Sequence, residues 1–175
     1  PALLARVADG ARRRRLLEVE ELVLALAWAD VHSGDDKGDL VLLGGDGSPP
    51  VQDSCLGEFA LARSTGAVAA ISAITDALDL RHRLPLTWDR AQAGECDVWI
   101  ARRVAKLARH LPLDRVHVVD SAVAPMLGHQ PAGRILEVAE AKIVEADPEL
   151  HQRRVDAARK GRLGTSGRTD GFGLR

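Results

Sequence analysis

Residues Val98–Leu111, VWIARRVAKLARHL, decide the fold class. At about 100° per residue, Ile100, Val104, Leu107 and Leu111 fall on one narrow face. Arg102, Lys106 and Arg109 fall on the opposite face, with Arg103 and His110 flanking them. Trp99 stands beside this basic row, within reach of Arg102 and Arg103. The spacing lacks two-residue alternation, so it predicts an amphipathic helix. Two uses fit its basic face. One is contact with phosphate, which a basic row beside an aromatic serves. The other is the solvated outer side of a core-facing helix, with Trp99 packed on a neighbour.

Immediately upstream the helical spacing continues. Ala67 to about Arg83 carries Val68, Ile71, Ile74 and Leu78 on one face, with Ser72, Thr75, Asp76 and Asp79 outside. Arg81, His82 and Arg83 end this helix, where cations favour the dipole, and they extend the basic surface. Pro85 opens a short helix to about Ala93, Gly94 closes it, and Asp97 stands at the N-cap of the next. Leu86–Ala93, the Gly94 turn and Val98–Leu111 thus have helix-turn-helix form, which would place the second helix in a DNA groove. Glu58–Arg63, the Ser64–Gly66 turn and Ala67–Leu80 form a second such pair, with a less basic outer side. Helix pairs of this kind also occur in helical domains generally.

Farther out, Ala2 to about Val31 reads as one long helix, or two with a break near Gly10. Arg12–Arg15 wraps most of a turn, so one of the four must lie near the buried face or snorkel. Glu18, Glu20 and Glu21 offset the run. His32–Asp53 is a long loop rich in Gly, Pro and Asp, in which Leu40–Leu43 lies back on the core. Downstream, Pro112 and Pro131 begin helices, one carrying Val116, Val119 and Val123, the other Ile135, Ala139 and Ile143. His117, amid valines, is expected to be partly buried. Asp147-Pro148 is a boundary, Glu149–Lys160 a charged helix, and 161–175 a basic, Gly-rich tail. The expected fold is all-α: a multi-helix globular bundle with one long irregular Gly/Pro/Asp-rich loop. The helical domain spans 1–160, and the tail begins a further C-terminal part.

Composition agrees with this fold. In 175 residues, 46% are hydrophobic and 28% charged, enough apolar side chain for a real core. With three Trp, two Phe and no Tyr, that core is aliphatic. A net charge of −1 points to no partner class. Cys55 and Cys96 form neither a metal spacing nor a disulfide framework. No apolar run approaches the ~18 residues of a membrane span, and the start lacks a signal-peptide pattern, so a cytoplasmic location is expected.

Catalytic patterns are missing from the sequence. There is no Gly-x-Ser-x-Gly elbow. Gly44-Gly45-Asp46-Gly47-Ser48 has no Lys after it, and Asp46 would repel phosphate. The acids between Asp35 and Asp39 lack the EF-hand order. The six histidines are dispersed, with no pair at ligand spacing. No catalytic residue, metal or cofactor is assigned, and no small-molecule ligand is implied.

Several segments together resemble one family: ALAWADVHSGDD, LGGDGSPPVQD, ITDALDLRHRLPLTW, CDVWIARRVAKLARHL, VEADPELHQRRV and the closing RTDGFGLR. They are similar to DUF222, the family named domain of unknown function 222. That family is a helical region often followed by an HNH endonuclease domain. The resemblance runs through nearly the whole chain, is most specific at Asp76–Pro85 and Val98–Ala108, and is loose over the first 25 residues. It implies association with a nuclease and a role near DNA, and it supplies no catalytic residue for this region. The first expectation is therefore a non-catalytic module that helps bind or position DNA. Its contacts would be Arg102, Arg103, Lys106 and Arg109, helped by Arg81, Arg83 and the basic tail. The second is a protein-interaction or self-association module, in which the long first helix packs on a partner, a nuclease domain or a second copy.

Overall fold

A computed structural model describes residues 1–34 and 38–148. The expected helix over 149–160 and the basic tail over 161–175 lie outside the described residues. What is described is all-α, with seven α-helices, one short 3₁₀ turn and a single two-strand ladder. The helices are α1 (Ala2–Val31), α2 (Cys55–Ala62), α3 (Ala67–Arg83), α4 (Pro85–Gln92), α5 (Val98–Ala108), α6 (Leu113–Val123) and α7 (Ala132–Ala146). α1 runs through Gly10 without a break, and residues 2–10 are all exposed.

Helix α3 is the centre of the bundle and packs against α1, α2, α4, α5 and α6. Every residue from Ala73 to Leu80 is buried, so this stretch is enclosed all round. Small alanines at 70, 73 and 77 let neighbouring helices approach closely. Two expectations fail here. Val68 is 84% exposed instead of joining the core. Thr75, Asp76 and Asp79, placed outside by their polarity, are buried. The reason is α5, which covers that side of α3 and brings the guanidinium groups that neutralise it.

Several boundaries follow the expected chemistry. Pro85 stands at the start of α4. Gly94 closes α4 with φ +70°, a left-handed conformation that glycine adopts without strain. Asp97 does not cap α5 with its side chain, because its carboxylate is taken by Arg15 at 2.9 Å and Arg14 at 3.1 Å. Arg15 is thus the member of the basic run that reaches inward. The α4 N-terminus is capped across the bundle instead. Buried Asp120 of α6 accepts the backbone N–H groups of Leu86 at 2.9 Å and Thr87 at 2.8 Å. His117, expected to be partly buried among valines, is exposed, because Val116, Val119 and Val123 take the buried side of α6.

The long loop is partly ordered as strands. β1 (Leu40–Val41) pairs antiparallel with β2 (Val51–Gln52), Leu40 opposite Gln52 and Val41 opposite Val51. The second strand was not expected. Val51 is fully buried, so the ladder pins the loop's return to the bundle.

Candidate functional site

Two features stand out from the helical scaffold: a charge network inside it and an apolar groove on its surface. The network joins α3, α5 and the glycine loop. Arg109 donates Nε to Asp79 at 2.6 Å and Nη2 to Asp76 at 2.7 Å, so one guanidinium bridges both carboxylates. Arg102 donates to the other oxygen of Asp76 at 2.9 Å. Arg83, one turn after Asp79, pairs with it at 3.4 Å and donates to the carbonyls of Ala108 and Leu111. Burial works against the charged form of Arg109, but its bonds and charge pairing with Asp79 and then Asp76 prevail and raise its pKa.

The glycine loop closes over this network. The Gly45 N–H donates to Asp79 at 2.7 Å, and the Ser48 hydroxyl donates to the same oxygen at 3.2 Å. A Cβ at Gly45 would collide with the Arg83 guanidinium and the Arg109 carbonyl, so only glycine fits this approach. One residue on, the Asp46 carboxylate accepts the Leu113 N–H at 2.9 Å, at the start of α6. Gly44-Gly45-Asp46-Gly47-Ser48 is therefore a clasp between loop and bundle.

This arrangement revises the expected basic surface. Arg83 is 2% exposed and faces the interior, not solvent. Arg102 and Arg109 are partly buried and committed to Asp76 and Asp79. Arg81 pairs with Asp30 of α1, with one of its contacts at 2.8 Å, and holds that carboxyl below the usual range. Of the six residues expected to contact DNA, only Arg103 and Lys106 are exposed without an acidic partner among the described residues. They border a shallow pocket with Trp99, which is 53% exposed, and Ser72. The helix-turn-helix form of α4 and α5 survives only as connectivity, since α5 packs against α3, α4 and α7.

The second feature is an apolar groove of about 650 Å³ between α1 and α2. Leu24, Trp28 and Val31 of α1 form one wall, and Phe59 and Ala62 of α2 the other. Trp28 stacks on Phe59 with ring centroids 6.2 Å apart and donates its indole N–H to the Cys55 carbonyl at 3.2 Å. Glu21 and Arg63, paired at 2.7 Å, close one end. Leu24 and Val31 are 59% and 66% exposed, large apolar side chains left in water. Sequence reasoning pointed to the long first helix as a contact element but missed α2 as the other wall. It also missed Asp76 and Asp79 as anchors, although Asp79–Arg83 has the i,i+4 spacing of a helical ion pair.

Among the described residues, no group of three or more His, Cys, Asp or Glu side chains is placed to hold a metal ion. No described helix is long and apolar enough to cross a membrane. No protein-family model, curated protein or solved structure matches the chain.

Proposed function

We propose that this chain is a non-catalytic helical module that works by protein association, with the groove between α1 and α2 as its contact surface. The observation that carries this reading is the pair of exposed side chains Leu24 and Val31 flanking half-buried Trp28, set against Phe59. Apolar side chains grouped in a concave surface are what an incoming helix or loop buries. The resemblance to the DUF222 family makes a nuclease-bearing protein the setting in which such a module works.

Assistance in DNA binding is the second reading, and Trp99 beside Arg103 and Lys106 supports it. Each neutralised phosphate contributes about −0.9 to the salt slope, so two free cations give a slope near −2 and weak affinity. The basic tail over 161–175 would have to supply the remainder.

The two readings separate in one experiment. A photo-crosslinking residue replaces Leu24 in one variant and Trp99 in another, and adducts are recovered from cells. The association reading expects a protein adduct at position 24 and no nucleic-acid adduct at position 99. Nucleic acid captured at 99, with nothing captured at 24, overturns it.

A further inference from the structure

Helix α5 turns to solvent a row of side chains that the bundle does not use. Trp99, Arg103 and Lys106 follow one another at steps of four and three residues, so they line one outer edge of the helix over roughly 10 Å. Together with Arg102 of the same helix and Ser72 and Asp76 of α3, they border a pocket of about 260 Å³. Trp88 is buried and Trp28 half-buried, but Trp99 leaves more than half of its surface in water. An indole so placed offers a flat apolar ring that a second planar group can cover.

The charges around this ring are unbalanced. Three cations and one carboxylate line the pocket. The carboxylate is already spent, because Asp76 accepts from Arg109 on one oxygen and from Arg102 and Ser72 on the other. Arg102 uses only its Nε, and its two Nη groups have no acceptor among the described residues. Arg103 and Lys106 have no ion-pair partner there either. With Arg83 and Arg109 added, the cluster between α3 and α5 holds five cations and two carboxylates. The shortage of acceptors reaches the core, where the buried Nε of Arg83 has no partner. What the pocket lacks is an oxyanion, and guanidinium groups grip phosphate at two oxygens at once.

We propose that the pocket between α3 and α5 binds a phosphate monoester attached to a planar ring, the chemistry of a mononucleotide. The phosphate lies among Arg102, Arg103 and Lys106, and the ring covers Trp99. A free mononucleotide and a link in a nucleic-acid strand share this chemistry, and the pocket favours the free form. A monoester brings close to two negative charges to the three cations, whereas a strand phosphate brings one. A strand also needs a cation at each successive phosphate. The remaining arginines on this side are committed, Arg81 to Asp30 and both Arg83 and Arg109 to Asp79. The site is separate from the groove between α1 and α2 and does not depend on it.

Titration of the full chain with adenosine 5′-monophosphate, followed by NMR, tests the site. The indole N–H of Trp99 and the amides of Ser72 and Arg103 are expected to shift together and to saturate, while the indole of Trp88 stays in place. Adenosine and inorganic phosphate each supply one half of the ligand and are expected to bind more weakly by about tenfold or more. Trp99→Leu is expected to lower affinity at least about fivefold. Arg103→Glu combined with Lys106→Glu is expected to abolish binding. Both changes are at exposed positions, and helical circular dichroism is expected to stay unchanged. A short oligothymidylate is expected to bind no more tightly than the mononucleotide. Tighter binding of the oligonucleotide overturns the free nucleotide as ligand, and inorganic phosphate binding as well as the nucleotide overturns the stacked ring. No saturating shift at millimolar nucleotide overturns the site altogether. None of these results touches the association reading, which the adduct at position 24 decides.

Discussion

At the scale of single residues, Asp79 carries the most. It is fully buried and accepts from Gly45, Ser48, Arg83 and Arg109. Asp79→Ala leaves the buried Arg83 guanidinium without its carboxylate and Arg109 with that of Asp76 alone. Removal of one partner from a buried ion pair costs about 3–5 kcal/mol, and chemical denaturation of the variant is expected to show a loss of that size. Arg103→Ala, at an exposed position with no ion-pair partner among the described residues, is expected to leave stability within about 0.5 kcal/mol of the parent. A loss below about 1 kcal/mol for Asp79→Ala would mean that water satisfies the network. These residues were hard to read in sequence for a specific reason. Asp79 and Arg109 are thirty positions apart, and a polar residue on an amphipathic helix is assigned to solvent unless its partner is known. The only local signal was the i,i+4 step from Asp79 to Arg83.

At the scale of elements, the helices were legible and their buried faces only in part. Pro85, Gly94 and Pro112 mark ends that the structure keeps, because missing donors and left-handed backbone have few other uses. For α5, Ile100 and Val104 are buried as expected, as is Leu111 just past its end, but so are Ala101, Ala105 and Ala108. Those alanines widen the buried side and draw Arg102 and Arg109 toward α3. Alanine has too little apolar surface to signal which way it points, so the guanidinium row was read as facing water. The attachment of α1 gives a pH prediction. Bonds from Arg15 and Arg14 hold the Asp97 carboxyl below its ordinary value. A lowered folded pKa adds stability above the unfolded pKa of about 3.9, and that stability is lost as pH falls through the folded value. Asp97→Asn is expected to lower the melting temperature at pH 7 and to change little at pH 2. An equal loss at both pH values would assign the effect to packing.

At the scale of the whole molecule, the fold class could be read from periodicity while the groove between α1 and α2 could not. An all-α bundle follows from spacing that repeats in segment after segment. The groove depends on where α2 comes to rest against α1, and no local pattern fixes that placement. The glycine clasp ties these levels together. Gly45 sits in a loop that its composition would class as loose, yet its N–H is held by a carboxylate that is itself locked between α3 and α5. That amide can exchange with solvent only when the charge network opens, and the network cannot open without parting the two helices. In deuterium oxide the Gly45 proton is expected to persist as long as amides in the middle of α3, while that of Gly66 is replaced quickly. Rapid loss at Gly45 would show that the loop lifts off independently. Slow loss would make five residues of surface chain part of the cooperative unit that unfolds last.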